Sequence, residues 1–161
     1  MAKNLILIFF LFLAFRIPNS FGLGLGQIYE LSDISGGTYT PGVSSGNITL
    51  VSNFCVLEAS LLTGPFEIRF TSANASGTTF RVKRSVGNYY IPYSVSFYLQ
   101  GNASGTEYVM SSGVRSSSFG SILTLGICFS NSMKIVFNSA NLQGAGAGTY
   151  SDVLTITVYF I

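Results

Sequence analysis

Apolar and polar residues alternate with period two along most of the chain. The pattern is clearest in "PFEIRFTS", "YYIPYSVSFYLQG", "SMKIVFNS" and "DVLTITVYFI", and three further segments, "GNITLVSNF", "TTFRVKRS" and "SILTLGICFS", follow it less strictly. Alternation of this kind predicts β-strands with one buried face. Between these segments lie turn clusters rich in Gly, Ser and Asn, such as "SANASG" and "QGNASGTE". Short strands separated by turns predict an all-β sandwich.

The alternation also predicts which side chains point into the core. They are Ile48, Leu50, Phe54, Phe66, Ile68, Phe70, Ile91, Tyr93, Val95, Phe97, Leu99, Met133, Ile135 and Phe137. The last strand follows the same rule and continues to Ile161. Its predicted inward residues are Leu154, Ile156, Val158 and Phe160, and its outward residues are Thr155, Thr157 and Tyr159.

The first 22 residues have the pattern of a secretory signal peptide. Lys3 precedes an apolar run from Leu5 to Phe15, and small residues follow before a predicted cut at Leu23. An uncleaved membrane anchor is the alternative, but a span needs about 20 apolar residues and Arg16 interrupts this run. The sequence therefore predicts an exported chain.

Charge and residue types exclude several classes of function. The chain has eight Lys and Arg and six Asp and Glu. Removal of Lys3 and Arg16 with the leader would leave equal numbers of basic and acidic residues. This balance gives no electrostatic reason to expect a nucleic acid partner. The nearest basic cluster is "RVKRS", which we interpret as the solvated face of a strand. The sequence contains no histidine, so no Ser-His-Asp triad, Cys-His pair or imidazole metal site can form. We expect no enzyme activity, no metal and no cofactor.

The two cysteines, Cys55 and Cys128, make up an even count in a chain predicted to be exported. This favours one disulfide between them, while two buried free thiols remain the alternative. Tripeptides of the N-glycosylation type begin at Asn47, Asn74 and Asn102, and they matter only in a cell that glycosylates them. We interpret the glycine repeats "GLGLG" and "GAGAG" as turn and close-approach residues, because neither lies between a strand and a helix as a phosphate loop would.

Several segments resemble spore coat U domains and chaperone-usher pilins. They are "ISGGTYTPG", "GNITLVSNFC", "FEIRF", "YIPYSVSFYLQG" and "AGAGTYSDVLTITVYF". The last is the most specific, since the family has a Gly-Thr-Tyr-x-Asp turn before its final strand, matched here by Gly148, Thr149, Tyr150 and Asp152. Such pilins also tend to have a glycine fourteen places from the end and an aromatic next to the end, positions that Gly148 and Phe160 occupy. One departure is Ser52, where the family often has a cysteine.

The resemblance implies an immunoglobulin-like sandwich that lacks its last strand. Its C-terminal strand would border an apolar groove, lined by Gly148, Leu154, Ile156, Val158 and Phe160. A periplasmic chaperone would fill this groove first, an outer-membrane usher would direct assembly, and a neighbouring pilin subunit would then donate a strand. The implied function is that of a structural subunit of a surface fibre or coat, exported to the periplasm and then to the cell surface.

The segment before the sandwich has two interpretations. We predict an extension at residues 23–33 and the sandwich domain at residues 34–161. As a donor strand, the extension would present Leu23, Leu25, Tyr29 and Leu31 on one face. Alternatively, the same stretch is the first strand of the domain itself, with Ile28 and Ile34 pointing inward.

A self-contained sandwich is the alternative to a fibre subunit. It would be a secreted adhesin that binds a glycan or a host protein through some of its 9 tyrosines and 14 phenylalanines. The two hypotheses differ in the stability of the isolated monomer, which only the self-contained sandwich would have.

Overall fold

The fold was determined as a computed structural model. It describes residues 26–29, 31–40, 44–58, 65–120 and 129–161. The predicted signal peptide, Leu23, Leu25 and Cys128 lie outside the described residues. The strands are β1 Gly26–Tyr29, β2 Ile48–Glu58, β3 Phe66–Ser72, β4 Phe80–Arg84, β5 Tyr90–Tyr98, β6 Tyr108–Met110, β7 Phe129–Phe137, β8 Tyr150–Ser151 and β9 Leu154–Phe160. A 3-10 turn, Gly101–Ala103, and a short helix, α1 Ser139–Gln143, interrupt them.

The strands form two antiparallel sheets. The main sheet has the order β1-β2-β7-β5-β4-β8, with β6 also paired to β5, and the small sheet contains β3 and β9. The inward side chains of both sheets share one apolar core. The predicted all-β sandwich is therefore confirmed.

Phe97 lies at the centre of this core. Its ring centroid is 5.1 Å from that of Phe119, 6.0 Å from that of Phe54 and 6.3 Å from that of Phe70. Tilted aromatic pairs at these distances add stabilisation beyond the burial of area. The contact between Phe97 of β5 and Phe70 of β3 thus joins the main sheet to the small sheet.

Most of the predicted inward side chains are buried. Phe66, Ile68, Phe70, Val95, Phe97, Met133, Ile135 and Phe137 have no exposed surface. Ile48 and Leu50 are half-buried against the core. The prediction is wrong for Leu99, which is 39% exposed because β5 ends one residue earlier, at Tyr98.

Residues 121–128 of the predicted strand "SILTLGICFS" lie outside the described residues, so a separate strand there stays a prediction. The strand β7 contains Phe129 and Ser130 of that segment and most of "SMKIVFNS". Its polar centre is buried, with Asn131 1% and Ser132 0% exposed. Ser132 Oγ donates to the carbonyl of Gln100 at 2.6 Å and accepts from the amide of Ala103 at 2.8 Å, which makes a buried hydroxyl tolerable at this position.

The outer face of the main sheet carries an ion pair with a testable pH dependence. Lys134 Nζ lies 2.6 Å from Glu107 Oε1. The hydrogen bond from Lys134, helped by bonds from Ser96 and Tyr98, lowers the pKa of Glu107 to about 2. Because the folded-state pKa lies below its ordinary value of 4.5, the pair contributes stability above that pH and loses it as the pH falls towards 2.

We expect NMR titration of the Glu107 carboxyl to give a midpoint near 2 in the wild type. In Lys134→Gln the midpoint should rise towards the ordinary glutamate value. A wild-type Glu107 midpoint near 4.5 would contradict this assignment.

Candidate functional site: the free edge of the C-terminal strand

The last strand, β9, loses burial towards its end. Leu154 is fully buried and Ile156 is 4% exposed, as their inward parity requires. Val158 and Phe160 have the same parity and also pack against the core, yet both are only half-buried. Apolar side chains on the core-facing side of a strand are thus left partly uncovered at one end of the sandwich.

The pairing of β9 with β3 determines which backbone groups remain free. Beyond the two ends of the ladder, the amide of Ala73 donates to the carbonyl of Val153 at 2.9 Å, and the amide of Ile161 donates to that of Pro65 at 3.0 Å. Hydrogen-bonded and non-bonded pairs alternate in an antiparallel ladder. The ladder with β3 therefore uses the backbone groups of the odd-numbered residues Thr155, Thr157 and Tyr159.

The even-numbered residues of β9 consequently point their backbone groups away from β3. These residues are Leu154, Ile156, Val158 and Phe160. Among the strands that the structure describes, only β3 pairs with β9. The free edge of β9, as we call this row, thus combines backbone groups that bond to no other described strand with the half-buried side chains of Val158 and Phe160.

The other edge of β3 is occupied. The amides of Gly113, Ser116 and Phe119 donate to the carbonyls of Phe70, Ile68 and Phe66, each at 2.8 Å. Residues 112–119 therefore cover β3 on the side away from β9. This segment follows β6 of the main sheet, so the chain itself closes that side of the sandwich, whereas no described segment pairs with the outer side of β9.

The predicted donor residues fall in two groups. Leu23 and Leu25 lie outside the described residues. Tyr29 ends β1, where it pairs with Cys55 of β2, and Leu31 packs half-buried against the core. Ile28 and Ile34 also pack against the core, which matches the alternative in which this stretch is the first strand of the domain. Donation of the segment to a neighbouring molecule, and a domain boundary at residue 34, stay predictions.

Asp152 anchors the chain just before β9. It is 2% exposed, and its carboxylate accepts hydrogen bonds from Tyr93 Oη at 2.6 Å and from the side-chain nitrogen of Asn74 at 2.9 Å. The backbone amide of Asn74 donates to it as well, at 3.2 Å. Burial, and then the negative charge of Asp152, raise the pKa of Tyr93, so the phenol stays protonated and continues to donate. The aspartate of the Gly-Thr-Tyr-x-Asp turn therefore fixes the start of β9.

Gly148 belongs to the same turn and contacts Arg84. A Cβ atom at this position would come within 2.5 Å of Arg84 Nε. The backbone therefore approaches the Arg84 side chain as closely as only glycine allows. Tyr150, two residues on, is 1% exposed and its hydroxyl donates to the carbonyl of Gly146 at 2.9 Å. These contacts organise the turn, and a place for Gly148 in a groove stays a prediction.

Cys55 lies fully buried in β2 and takes part in a disulfide. Its predicted partner, Cys128, is outside the described residues, so the pairing stays a prediction. Of the three glycosylation-type asparagines, Asn74 already donates its side-chain nitrogen to Asp152.

The described part of the chain contains no cluster of three or more His, Cys, Asp or Glu residues that could hold a metal ion. In the same residues, no helix has the length and apolar character needed to cross a membrane. We take the free edge of β9 as the candidate functional site because it combines core-facing apolar side chains with backbone groups that point away from β3.

The fold is similar to that of solved fimbrial proteins. One chain, from a structure titled "Chaperone-tip adhesin complex is vital for synergistic activation of CFA/I fimbriae biogenesis", superposes with a TM-score of 0.64 at 16% identity, over 84% of this chain and 41% of that chain. The G168D mutant of CfaE, the CFA/I adhesin of enterotoxigenic E. coli, gives a TM-score of 0.51 at 12% identity, over 71% of this chain and 41% of that chain. The protein thus spans less than half the length of these neighbours.

No family model matches the sequence, spore coat U included, and no curated protein matches it. At these identities the likeness shows the fold alone, and that fold is the one found in the fimbrial proteins.

Proposed function

We propose that the protein is a structural subunit of a surface fibre that accepts a β-strand from another polypeptide along the free edge of β9. The observation that carries the proposal is the coincidence, on β9, of outward-pointing backbone groups with the half-buried side chains of Val158 and Phe160. An added strand would pair with these backbone groups and cover the side chains of Val158 and Phe160. An exposed edge of this kind otherwise promotes aggregation.

We infer the partners from the resemblance to chaperone-usher pilins and from the chaperone-tip adhesin complex that has a similar fold. A periplasmic chaperone would cover the edge before assembly, an outer-membrane usher would direct the exchange, and a neighbouring subunit would supply the final strand. Because the donating and accepting surfaces differ, such contacts do not close and the assembly grows as a fibre. The fold shared with the CFA/I fimbrial proteins supports this proposal, as does the predicted signal peptide, which would take the chain out of the cytoplasm.

Amide hydrogen exchange tests the proposal residue by residue. In the full chain alone, we expect the amides of Ile156, Val158 and Phe160 to exchange rapidly, since none of them bonds to β3. The intervening amides of Thr157 and Tyr159 should be protected and serve as internal controls. Addition of a peptide with the sequence of residues 23–34 should slow exchange at Ile156, Val158 and Phe160. Exchange at the two control amides should stay unchanged.

The full chain is used because its own β1 then occupies its place beside β2, and the peptide cannot simply refill that position. The control is the same peptide with Gln27→Pro and Tyr29→Pro, which cannot complete a ladder. Protection of Ile156, Val158 and Phe160 in the chain without peptide would contradict a free edge.

A further inference from the structure

The outer face of the small sheet carries charged and aromatic side chains next to the free edge of β9. Glu67 and Arg69 alternate with the buried residues of β3 and therefore point away from the core. In the ladder with β9, Glu67 is paired with Tyr159 and Arg69 is paired with Thr157. Paired residues of an antiparallel ladder point to the same face of the sheet, so these four side chains share the outer face.

Two arginines meet at the Tyr159 ring on this face. The guanidinium of Arg69 lies 5.2 Å from the ring centroid, and that of Arg115 lies 3.7 Å from it. Arg115 comes from the segment on the other side of β3, where it pairs with Arg69 in an isolated bridge. Because Tyr159 belongs to β9, both arginine side chains extend towards the strand that has the free edge.

The negative charge on this face is used by only one of the two arginines. The Glu67 carboxylate forms an ion pair with Arg115 at 3.4 Å. Among the described residues, neither ion pair involves Arg69, and its buried Nε has no hydrogen-bond partner. Like charges on opposite residues of a ladder are destabilising, and a partly buried charge without a partner is costly. Arg69 therefore lacks an acidic partner at this position.

A strand added at the free edge would come within reach of Arg69. The added strand would lie two strand spacings of about 4.8 Å from β3, or roughly 10 Å away. Thr157 lies between them, opposite Arg69, and its side chain is short. Long side chains reach past their nearest neighbours in a sheet, so an outward-facing acidic residue beside Thr157 could bond to the guanidinium.

We propose that the strand added along the free edge of β9 carries an acidic residue on its outward face, and that the carboxylate of this residue binds Arg69. The inference rests on the proposed function and names the chemistry of the partner strand. Guanidinium and carboxylate groups form strong, directional hydrogen bonds. The contact would fix the register of the added strand, because only one of its residues lies beside Thr157. An acidic sugar would satisfy Arg69 but could not continue the backbone ladder.

The segment 23–34 has an acidic residue with the required parity. If its predicted donor residues face the core, the outward positions are 24, 26, 28, 30 and 32, and Glu30 is the one charged residue among them. The opposite orientation would place the Glu30 carboxylate against the apolar core, at the cost of burying a charge.

The register that brings Glu30 to Arg69 also covers the exposed end of the core. With Glu30 beside Thr157, either Tyr29 or Leu31 lies next to the half-buried Val158, whichever direction the added strand takes. The polar contact on one face and the apolar contact on the other thus favour the same register.

Calorimetric titration of the full chain with peptide 23–34 tests the inference. The peptide is blocked at both ends, so that Glu30 and Asp33 are its only carboxylates. We expect Glu30→Gln in the peptide to weaken binding about fivefold, which is the upper end for a partly exposed ion pair. Asp33→Asn removes the same charge from the peptide and should stay within about twofold of the unchanged peptide.

Variants of the chain complete the cycle. Arg69→Gln should weaken binding of the unchanged peptide about fivefold and should abolish the further effect of Glu30→Gln. Lys83→Gln, in β4 of the main sheet, removes the same charge and should preserve both the affinity and the effect of Glu30→Gln. Thermal unfolding confirms the fold of each variant, and the peptide variants against the wild-type chain keep the test valid if Arg69→Gln misfolds.

The outcomes separate this inference from the proposed function. If the peptide slows exchange at the free-edge amides but Glu30→Gln and Asp33→Asn weaken binding equally, the contact with Arg69 is overturned and strand addition stands. The same holds if Glu30→Gln weakens binding to the Arg69→Gln chain as much as to the wild type. If the peptide slows none of the free-edge amides, the proposed function and this inference both fail.

Discussion

Replacement of Asp152 by alanine should lower the free energy of unfolding by roughly 4 kcal/mol or more, because hydrogen bonds to a charged group contribute about 1.5–3 kcal/mol each. The carboxylate accepts three such bonds, one from Tyr93 Oη and two from Asn74. Its removal also leaves the buried Tyr93 hydroxyl without this acceptor. Since a domain has a total stability of about 5–15 kcal/mol, the variant should be close to unfolded. Urea denaturation followed by circular dichroism measures the effect.

Two variants calibrate this prediction. Tyr93→Phe removes one of the three donors and should cost about 1–3 kcal/mol. Ser151→Ala changes the neighbouring residue, whose carbonyl rather than side chain bonds to Asn74, and should leave stability nearly unchanged. If Asp152→Ala unfolded within about 1 kcal/mol of the wild type, where most surface substitutions lie, the carboxylate could not be the anchor of β9.

The hydrogen-bond partners of Asp152 could not be predicted from the sequence. The resemblance singled out the residue, but its partners Tyr93 and Asn74 lie 59 and 78 positions away. No local pattern links residues so far apart. An inward-facing tyrosine is the available signal, because a buried hydroxyl needs a hydrogen-bond partner. That signal predicts a partner without saying which residue it is.

Period two predicted the faces of β3, β5 and β7 well, because each of these strands has one side buried in the core. It did not predict the burial of Asn131 and Ser132 in β7, because their side chains are polar. It also missed β6, Tyr108–Met110, since three residues are too few for a period to show. Both errors arise where long-range contacts, rather than local alternation, determine the structure.

The free edge of β9 was predicted only in part. The alternation from Leu154 to Phe160 fixed the side-chain faces, but an ordinary terminal strand would show the same pattern. Only the pairing partners separate the two cases, since β3 has a neighbour on each side and β9, within the described residues, has one. The contact of Arg84 with Gly146 and Gly148 likewise could not be predicted from the sequence. The glycine run itself was interpreted correctly as a site of close approach.

A pair of proline variants should separate the two edges of β9. Thr157→Pro removes an amide that bonds to β3, opposite Arg69. We expect it to destabilise the free protein by at least about 2 kcal/mol, because the ladder bond is lost and its acceptor is left unpaired. Val158→Pro removes an amide that points to the free edge, where proline is tolerated. Val158→Pro should therefore lower the free energy of unfolding of the free protein less than Thr157→Pro does.

In the presence of an added strand, Thr157→Pro should become the more stable of the two variants. With peptide 23–34 at about a thousand times its dissociation constant, binding contributes roughly 4 kcal/mol, and the melting temperature of the wild type should rise by about 10 °C. The peptide should still raise the melting temperature of Thr157→Pro, since the free-edge amides of this variant are intact. It should raise that of Val158→Pro only slightly, because the proline removes a donor from the new ladder. Equal responses of the two variants to the peptide would place the bound strand elsewhere than on β9.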